Sequence, residues 1–406
     1  MAKHSLPVLL LAAFLLQPAA VVAEEPRPPS AEAGGTESLD ELRALAAQAA
    51  GAGDWPAAIE YARRGVKISE VVYGADRLET GAWLKALADV LQAAGRTSEA
   101  EPLYRRALAI SDEVRGADSL ESGLALDGLA GLLKSTGRYA EAEPLYRRSL
   151  AILDKALSPE HPGVATSLAH LALLHFAQGR YGDADVLFRR SLSIFETTLG
   201  PEHPNVAAGL NNLADVCQAQ GRYAEAEPLY RRSLVVREKA LGPEHPDVAT
   251  SLNNLAELYR TQGRYTDTEP LYRRSLAILE KALGPEHQGV ATSLNNLAGL
   301  YLTQGRYTDA EQLFRRSLVV REKALGPEHP DVAASLNNLA HMCFAQGRYA
   351  DAEPLYRRAY SIALNAGEPR LAWTVQGNLS RFLRQERAGP RHLLRQAGGQ
   401  HAAERA

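Results

Sequence analysis

Gly263-Arg-Tyr-Thr-Asp-Thr-Glu-Pro-Leu-Tyr-Arg-Arg-Ser-Leu-Ala-Ile-Leu-Glu-Lys-Ala-Leu-Gly-Pro-Glu-His287 recurs, with substitutions, along most of the chain at one spacing. Its first two residues mark the period: Gly95-Arg96, Gly137-Arg138, Gly179-Arg180, Gly221-Arg222, Gly263-Arg264, Gly305-Arg306 and Gly347-Arg348 follow one another at 42-residue intervals. Gly53-Asp54-Trp55 stands one period before the first of them. Self-similarity at such a period is the mark of a stacked array, in which added repeats lengthen one body and do not add domains. The 406 residues are therefore expected to form a single elongated domain.

Each unit divides into two helices. In Val290-Ala-Thr-Ser-Leu-Asn-Asn-Leu-Ala-Gly-Leu-Tyr-Leu-Thr-Gln304, the residues Leu294, Leu297, Ala298 and Tyr301 share one helical face, and Gly305 supplies the left-handed closing residue. After the Gly-Arg-Tyr turn, Ala310, Leu313, Phe314, Ser317, Leu318 and Val320 stripe a second helix running to about Leu325, where Gly326-Pro327 stops it. Three positions stay small where helices would cross. They are Ala130, Ala172, Ala214, Ala256, Ala298 and Ala340; then Ala100, Ala142, Ala184, Ala226, Ala310 and Ala352, with Thr268 in the series; then Ser149, Ser191, Ser233, Ser275 and Ser317. Larger side chains there would force the helices apart. Pro102, Pro144, Pro228, Pro270 and Pro354 lie near the start of second helices, so those helices are expected to start late or to be loosely wound in their first turn.

The ends read differently. Residues 1–23 combine a short basic start, an apolar run from Leu6 to Leu16, and Val21-Val22-Ala23 before Glu24, which is the pattern of a secretory signal peptide cut after Ala23. Residues 24–37 are rich in Pro, Glu, Ala, Gly and Ser and read as a flexible acidic leader. Eight repeats then occupy 38–366. Leu371, Val375, Leu379, Phe382 and Leu383 suggest a solitary capping helix within 367–387, and 388–406 reads as a disordered basic tail. Gly74-Ala75-Asp76 and Gly116-Ala117-Asp118 replace the later Gly-Pro-Glu-His-Pro, as relaxed terminal units would.

The formal charge is −3, from 45 basic and 48 acidic residues, which gives no bias toward nucleic acid or an acidic membrane. Cys217 and Cys343 occupy equivalent positions three periods apart. Helix layers of about 8–10 Å put them beyond the reach of a disulfide, so both read as small core residues.

The small-residue pattern, the closing glycine and the aromatic at Tyr104, Tyr146, Phe188, Tyr230, Tyr272, Phe314 and Tyr356 resemble tetratricopeptide repeats. The 42-residue unit, with VATSLNNLAELY, GRYAEAEPLYRRSL and LGPEHP, resembles the kinesin light chain subtype. The resemblance implies an all-α fold, a right-handed α-solenoid of helix-turn-helix units whose first helices line a concave groove for peptides or partner proteins. A motor role is not implied, since an export signal is incompatible with it.

On those first helices the doublets Asn211-Asn212, Asn253-Asn254, Asn295-Asn296 and Asn337-Asn338 stand out, read as lying away from the apolar stripe. Asparagine is a mediocre helix former, while its amide offers donors and an acceptor that suit an extended backbone. The family resemblance implies that these four doublets line the groove. The alternatives are that they tie neighbouring repeats together or are inherited from duplication. Earlier repeats hold Lys85, Asp127 and Ala169 at the first asparagine position. Asp215, Gln218, Glu257, Arg260, Leu302, His341 and Phe344 vary between repeats on the same face, as selectivity residues would. A clamp for a C-terminal carboxylate would call for lysines there, which the later repeats lack.

Arginine pairs such as Arg147-Arg148, Arg231-Arg232, Arg273-Arg274 and Arg315-Arg316 follow Glu143, Glu227, Glu269 and Glu311 by four residues, the spacing of helical ion pairs on a solvated face. His161, His203, His245, His287 and His329 occur one per repeat, too far apart for one metal ion. No phosphate loop, nucleophile with its base, or recurring carboxylate pair is present, so no catalytic site, metal or cofactor is expected. The expectation is an exported, non-catalytic scaffold for a peptide or protein, periplasmic or secreted, acting chiefly through repeats four to eight. It has no nucleic-acid partner and no membrane span once the signal is removed. The alternative is an accessory subunit of an envelope or secretion assembly that works through its convex face and ends.

Overall fold

A computed structural model describes residues 38–388, with side chains to Arg384. The segments expected to be a signal peptide and an acidic leader, and the tail from residue 389 onward, lie outside the described residues. Within them the secondary structure is helical throughout: α1 Leu39–Gly51, α2 Trp55–Val72, α3 Leu78–Ala93, α4 Thr97–Val114, α5 Leu120–Ser135, α6 Tyr139–Leu157, α7 Pro162–Ala177, α8 Tyr181–Leu199, α9 Pro204–Ala219, α10 Tyr223–Leu241, α11 Pro246–Thr261, α12 Tyr265–Leu283, α13 Gln288–Thr303, α14 Tyr307–Leu325, α15 Pro330–Ala345, α16 Tyr349–Asn365 and α17 Pro369–Ala388. Odd numbers to α15 are first helices and even numbers second helices, so the fold is an all-α solenoid of hairpins closed by α17. The chain divides into two compact units between Leu229 and Tyr230 instead of the single body expected. Contacts in a stack reach only the neighbouring repeat, so no long-range core unites the array.

Within each unit the first helices are the more deeply sunk. On α13, Val290, Ala291, Ser293, Leu294, Leu297, Ala298, Leu300 and Tyr301 are all buried. One strip from Thr292 through Asn295, Asn296 and Gly299 to Thr303 is left on the open side. The second helices bury a narrower stripe anchored by one ring per repeat, of which Tyr104, Tyr146 and Phe188 in the N-terminal unit and Tyr272, Phe314 and Tyr356 in the C-terminal unit are at most 2% exposed. The turn is closed by Gly305, whose φ of 74° favours glycine; Arg306 N–H then donates to the Tyr301 carbonyl at 2.8 Å. At the turn between repeats before α7, where later repeats have Gly200, Gly284 or Gly326 at positive φ, a serine, Ser158, takes φ 111° and is strained.

The crossing residues are buried as expected, and serine at the third crossing has a reason beyond size. Ser149, Ser191, Ser275 and Ser317 hydroxyls donate to the carbonyls of Gly123, Ala165, Ala249 and Ala291, at 2.7, 2.7, 2.9 and 2.7 Å. Alanine would fit but would forgo that bond, worth about 1 kcal/mol.

The prolines do not delay their helices: each lies inside one that starts at the Gly-Arg turn. They loosen the first turn instead. In the five proline repeats the arginine carbonyl before the helix (Arg96, Arg138, Arg222, Arg264, Arg348) accepts from the N–H groups both three and four residues on. Where Val186 or Gln312 replaces proline, Arg180 and Arg306 accept only the latter. A shared bond of this kind is a partial 3₁₀ turn, which makes room for the ring.

Candidate functional site

The asparagine doublets lie on α9, α11, α13 and α15, the first helices of repeats five to eight, so repeat four carries none. They border the open strip of these helices. The first asparagine of each doublet is not turned away from the apolar side: Asn211 is buried and the other three are half-buried. Its amide is occupied largely by the neighbouring helix. In the C-terminal unit Asn253 Nδ2 donates to Ser293 Oγ at 3.0 Å, Asn338 Nδ2 to Asn295 Oδ1 at 2.9 Å, and Asn378 Nδ2 on α17 to Asn337 Oδ1 at 3.0 Å. In the N-terminal unit Asn211 Nδ2 reaches Asp215 Oδ2 at 3.3 Å within its own helix. The same inter-repeat register is filled there by ionisable groups, with Ser167 Oγ donating to Asp127 Oδ1 at 3.2 Å and His170 Nδ1 against Asp127 Oδ2 at 2.6 Å.

In the C-terminal unit the first asparagines, with Asn338 of the second, thus fasten one helix to the next. A partner would find instead Asn212, Asn296 and the middle of the strip. Asn212 and Asn296 make no side-chain hydrogen bond among the described residues, and His341 is exposed. Arg260 forks onto Glu257 at 2.7 and 2.5 Å, while Glu257 also accepts from the Tyr272 hydroxyl at 2.9 Å. The same geometry recurs in the N-terminal unit, where the Tyr104 hydroxyl reaches Asp89 at 2.6 Å. Phe188 and Phe314 replace tyrosine where the strip residue fifteen positions earlier is Leu173 or Gly299 and offers no acceptor. Leu302 and Phe344 are half-buried and pack into the core; the Phe344 ring meets Phe382 edge-on at 5.9 Å.

The opposite face is ion-paired as its spacing foretold, with Arg147, Arg273 and Arg315 against Glu143, Glu269 and Glu311 at 2.6, 2.9 and 2.7 Å. Each of these glutamates also receives the turn arginine of the next repeat, Arg180, Arg306 or Arg348. Burial raises the Glu269 carboxyl, but the Tyr301 hydroxyl at 2.9 Å and then the two arginines hold it below the ordinary range, and Arg348 with Arg315 does the same for Glu311.

The loop histidines turn out to be helix caps. Nδ1 of His161, His203, His245, His287 and His329 accepts the N–H two residues on, at 3.0–3.1 Å. Only a ring unprotonated at Nδ1 can do so. Burial pushes His203 and His287 below the usual histidine value. Their contribution is therefore complete above the unfolded-state pKa of about 6.5 and is lost as pH falls through the folded value. Urea unfolding should show lower stability at pH 5 than at pH 7, and the double variant His203→Asn/His287→Asn, which keeps a capping acceptor, should lose less over that interval. An equal loss in parent and variant would remove the caps as the cause.

No group of three or more His, Cys, Asp or Glu side chains able to hold a metal ion occurs among the described residues, and none of their helices is long and apolar enough to cross a membrane. Both cysteines are buried and free.

A comparison with curated proteins finds no match. Among solved structures, the chain is similar to a Podosopora anserina putative kinesin light chain with nearly identical TPR-like repeats, at 30% identity over 52% of this chain and 99% of that one, with a TM-score of 0.44. It is also similar to BtubC (BKLC) from P. vanneervenii, at 24% identity over 57% and 91% with a TM-score of 0.47, and to the apo form of RapI, at 18% identity over 70% and 98% with a TM-score of 0.53. The last likeness concerns the fold. The tetratricopeptide repeat model matches residues 39–113, 121–197, 169–234, 205–281, 247–323 and 289–365, overlapping spans that run through nearly all the described helices. With that coverage added to the helical hairpins, the closing glycines and the small crossing residues, the chain belongs to the tetratricopeptide repeat family, a scaffold suited to binding proteins.

Proposed function

We propose that the chain is an exported, non-catalytic scaffold that holds an extended segment of a partner protein along the open strip of its C-terminal first helices. The observation that carries this reading is Asn296, half-buried on the strip beside the inter-repeat fastening and without a side-chain hydrogen bond among the described residues. An amide so placed matches main-chain N–H and C=O groups whatever the partner's side chains. His341 and the Glu257–Arg260 pair then supply selectivity. Asn296→Ala/His341→Ala should leave the unfolding midpoint within about 0.5 kcal/mol of the parent, as for surface positions. It should also weaken capture of a native-compartment partner at least tenfold. Replacing Asn253, Asn295 and Asn337 would not test this cleanly, because their amides join repeats.

A second reading, attachment through the second helices and the end of the array, is favoured by Val235, Val319 and Trp373, which are 59, 61 and 77% exposed. A scaffold of that kind would keep its partner in the strip variant and lose it in Val235→Glu/Val319→Glu. Export is tested separately by N-terminal sequencing of the mature chain, which should begin at Glu24.

A further inference from the structure

The last helix, α17, packs one side on α15 and α16, and among the described residues no later helix covers the other. At about 100° per residue its buried residues Ala372, Val375 and Phe382 centre on one side. Arg370, Trp373, Gly377, Arg381 and Arg384 fall in a single stripe on the opposite side. The three arginines are exposed and make no ion pair or side-chain hydrogen bond among the described residues. Arginines of the second helices differ: Arg315 and Arg357 are each tied to a glutamate of their own helix, at 2.7 Å.

Trp373 is 77% exposed. A Cβ placed on Gly377, one turn further on, would meet nothing within 4 Å, so the indole does not fold back over the helix there. No Asp or Glu occurs from Arg370 to Arg384. The balanced total charge masks this: from Arg370 to the end the chain has seven arginines and two glutamates, a net +5, although the whole is −3.

We propose that this stripe docks the end of the array on an anionic phospholipid surface, with the arginines on headgroup phosphates and the Trp373 indole at the boundary with the acyl chains. Charge complementarity requires an anionic partner, and the spread of the charge selects its form. Arg370 and Arg384 stand about 21 Å apart along the helix, so they address a plane of anions and do not converge on one group. An exposed indole among unpaired arginines calls for an apolar layer directly beneath an anionic one, which a bilayer interface presents to a flat face. With its other side packed on the array, α17 lies on the membrane and does not cross it. Attraction between exposed charges is screened, so attachment weakens with salt. The inference goes beyond the strip reading and does not depend on it; it takes from the second reading only the exposed indole.

The test is cosedimentation of the full chain with vesicles of phosphatidylglycerol mixed with phosphatidylcholine, and with phosphatidylcholine alone. Binding should be roughly 100-fold tighter to the anionic vesicles, and Arg370→Gln/Arg381→Gln/Arg384→Gln should lose a factor of that size. These positions are exposed, so the variant should unfold at the parent's midpoint; any attraction of the apolar run from Leu6 to Leu16 remains in it as background. Depth is read with brominated acyl chains, which should quench the parent's fluorescence more than that of Trp373→Phe. Trp55 and Trp83, half-buried and buried, are present in both, so the difference reports residue 373. Without vesicles, iodide should quench the same difference signal. Asn296→Ala/His341→Ala should bind vesicles as the parent does, which separates failure of this site from failure of the strip. Equal binding to neutral vesicles, no quenching by bromolipid, or tighter binding of a polyglutamate peptide or a single-stranded oligonucleotide would each overturn the membrane site. So would an indole shielded from iodide, since a second copy or residues 389–406 would then cover the stripe.

Discussion

Gly65→Ser, one added hydroxymethyl group, is expected to destabilise the N-terminal unit by about 3 kcal/mol, the upper part of the range for overpacking a filled core. Gly65 on α2 faces Trp83 on α3, and a Cβ on Gly65 would stand 2.2–2.6 Å from three indole carbons, far inside contact distance. The ring is 3% exposed, with the Arg43 guanidinium 5.3 Å from its centroid, so it has little room to retreat. The corresponding pairs in other repeats are Ala107/Ala125, Ser149/Ser167, Ser191/Gly209, Ser275/Ser293 and Ser317/Ser335. That these positions touch is shown by Ser275 and Ser293, whose hydroxyls are 3.4 Å apart. The crossing accepts two small residues, or one indole and nothing. Trp83→Ser alone also costs stability, through lost apolar burial. The double variant Gly65→Ser/Trp83→Ser recreates the pair of the later repeats and should be more stable than the sum of the two losses by at least about 1 kcal/mol, the coupling expected of residues in contact. Additive losses in urea unfolding would show that the two sites do not share one space.

The same comparison shows which features a sequence of this kind discloses. The period, the helix pairs and the crossing residues were legible because each repeats a local constraint: a left-handed turn, a 3.6-residue stripe, a close approach. The second helix read as ending near Leu325 does end there. What a side chain does across repeats was less legible. An asparagine half-turned toward the neighbouring helix and one turned to solvent look alike in a doublet, and only a bond such as the 3.0 Å one from Asn253 to Ser293 separates fastening from display. Some of the missed signal was present as covariation inside the chain. Arg237 and Arg321 are buried, and each donates to the carbonyl of Asp247 or Asp331 and to Ser251 or Ser335. Repeats with Leu153 or Leu279 at that position carry Gly163 or Gly289 in place of the aspartate. Likewise the histidine in each Gly-Pro-Glu-His loop stands at the position before a helix's first turn, which calls for an acceptor.

The end of the array yields the second large effect. Phe382→Ala should release α17 from the stack. Ala372, Val375 and Phe382 are its buried residues, and the Phe382 ring lies 5.9–6.0 Å from those of Phe344, Tyr349 and Tyr356. Truncating a buried phenylalanine costs about 3–5 kcal/mol. An interior repeat could spread that loss over two neighbours, but a terminal helix has one interface and little stability of its own, so here the loss is local. The open state of α17 should gain roughly 10²–10³-fold in population, at 1.4 kcal/mol per factor of ten. Amide exchange in α16 and α17 should accelerate by that factor. Cys343, buried on α15 in the same core and with its thiol held above the ordinary range by burial, should become much more reactive toward a thiol reagent. Cys217 in the N-terminal unit serves as the internal reference and should keep its rate. If both thiols accelerate together, the substitution has unfolded the chain as a whole and the array is more cooperative than a nearest-neighbour stack; if neither does, α17 is a passenger and the last hairpin closes the core by itself.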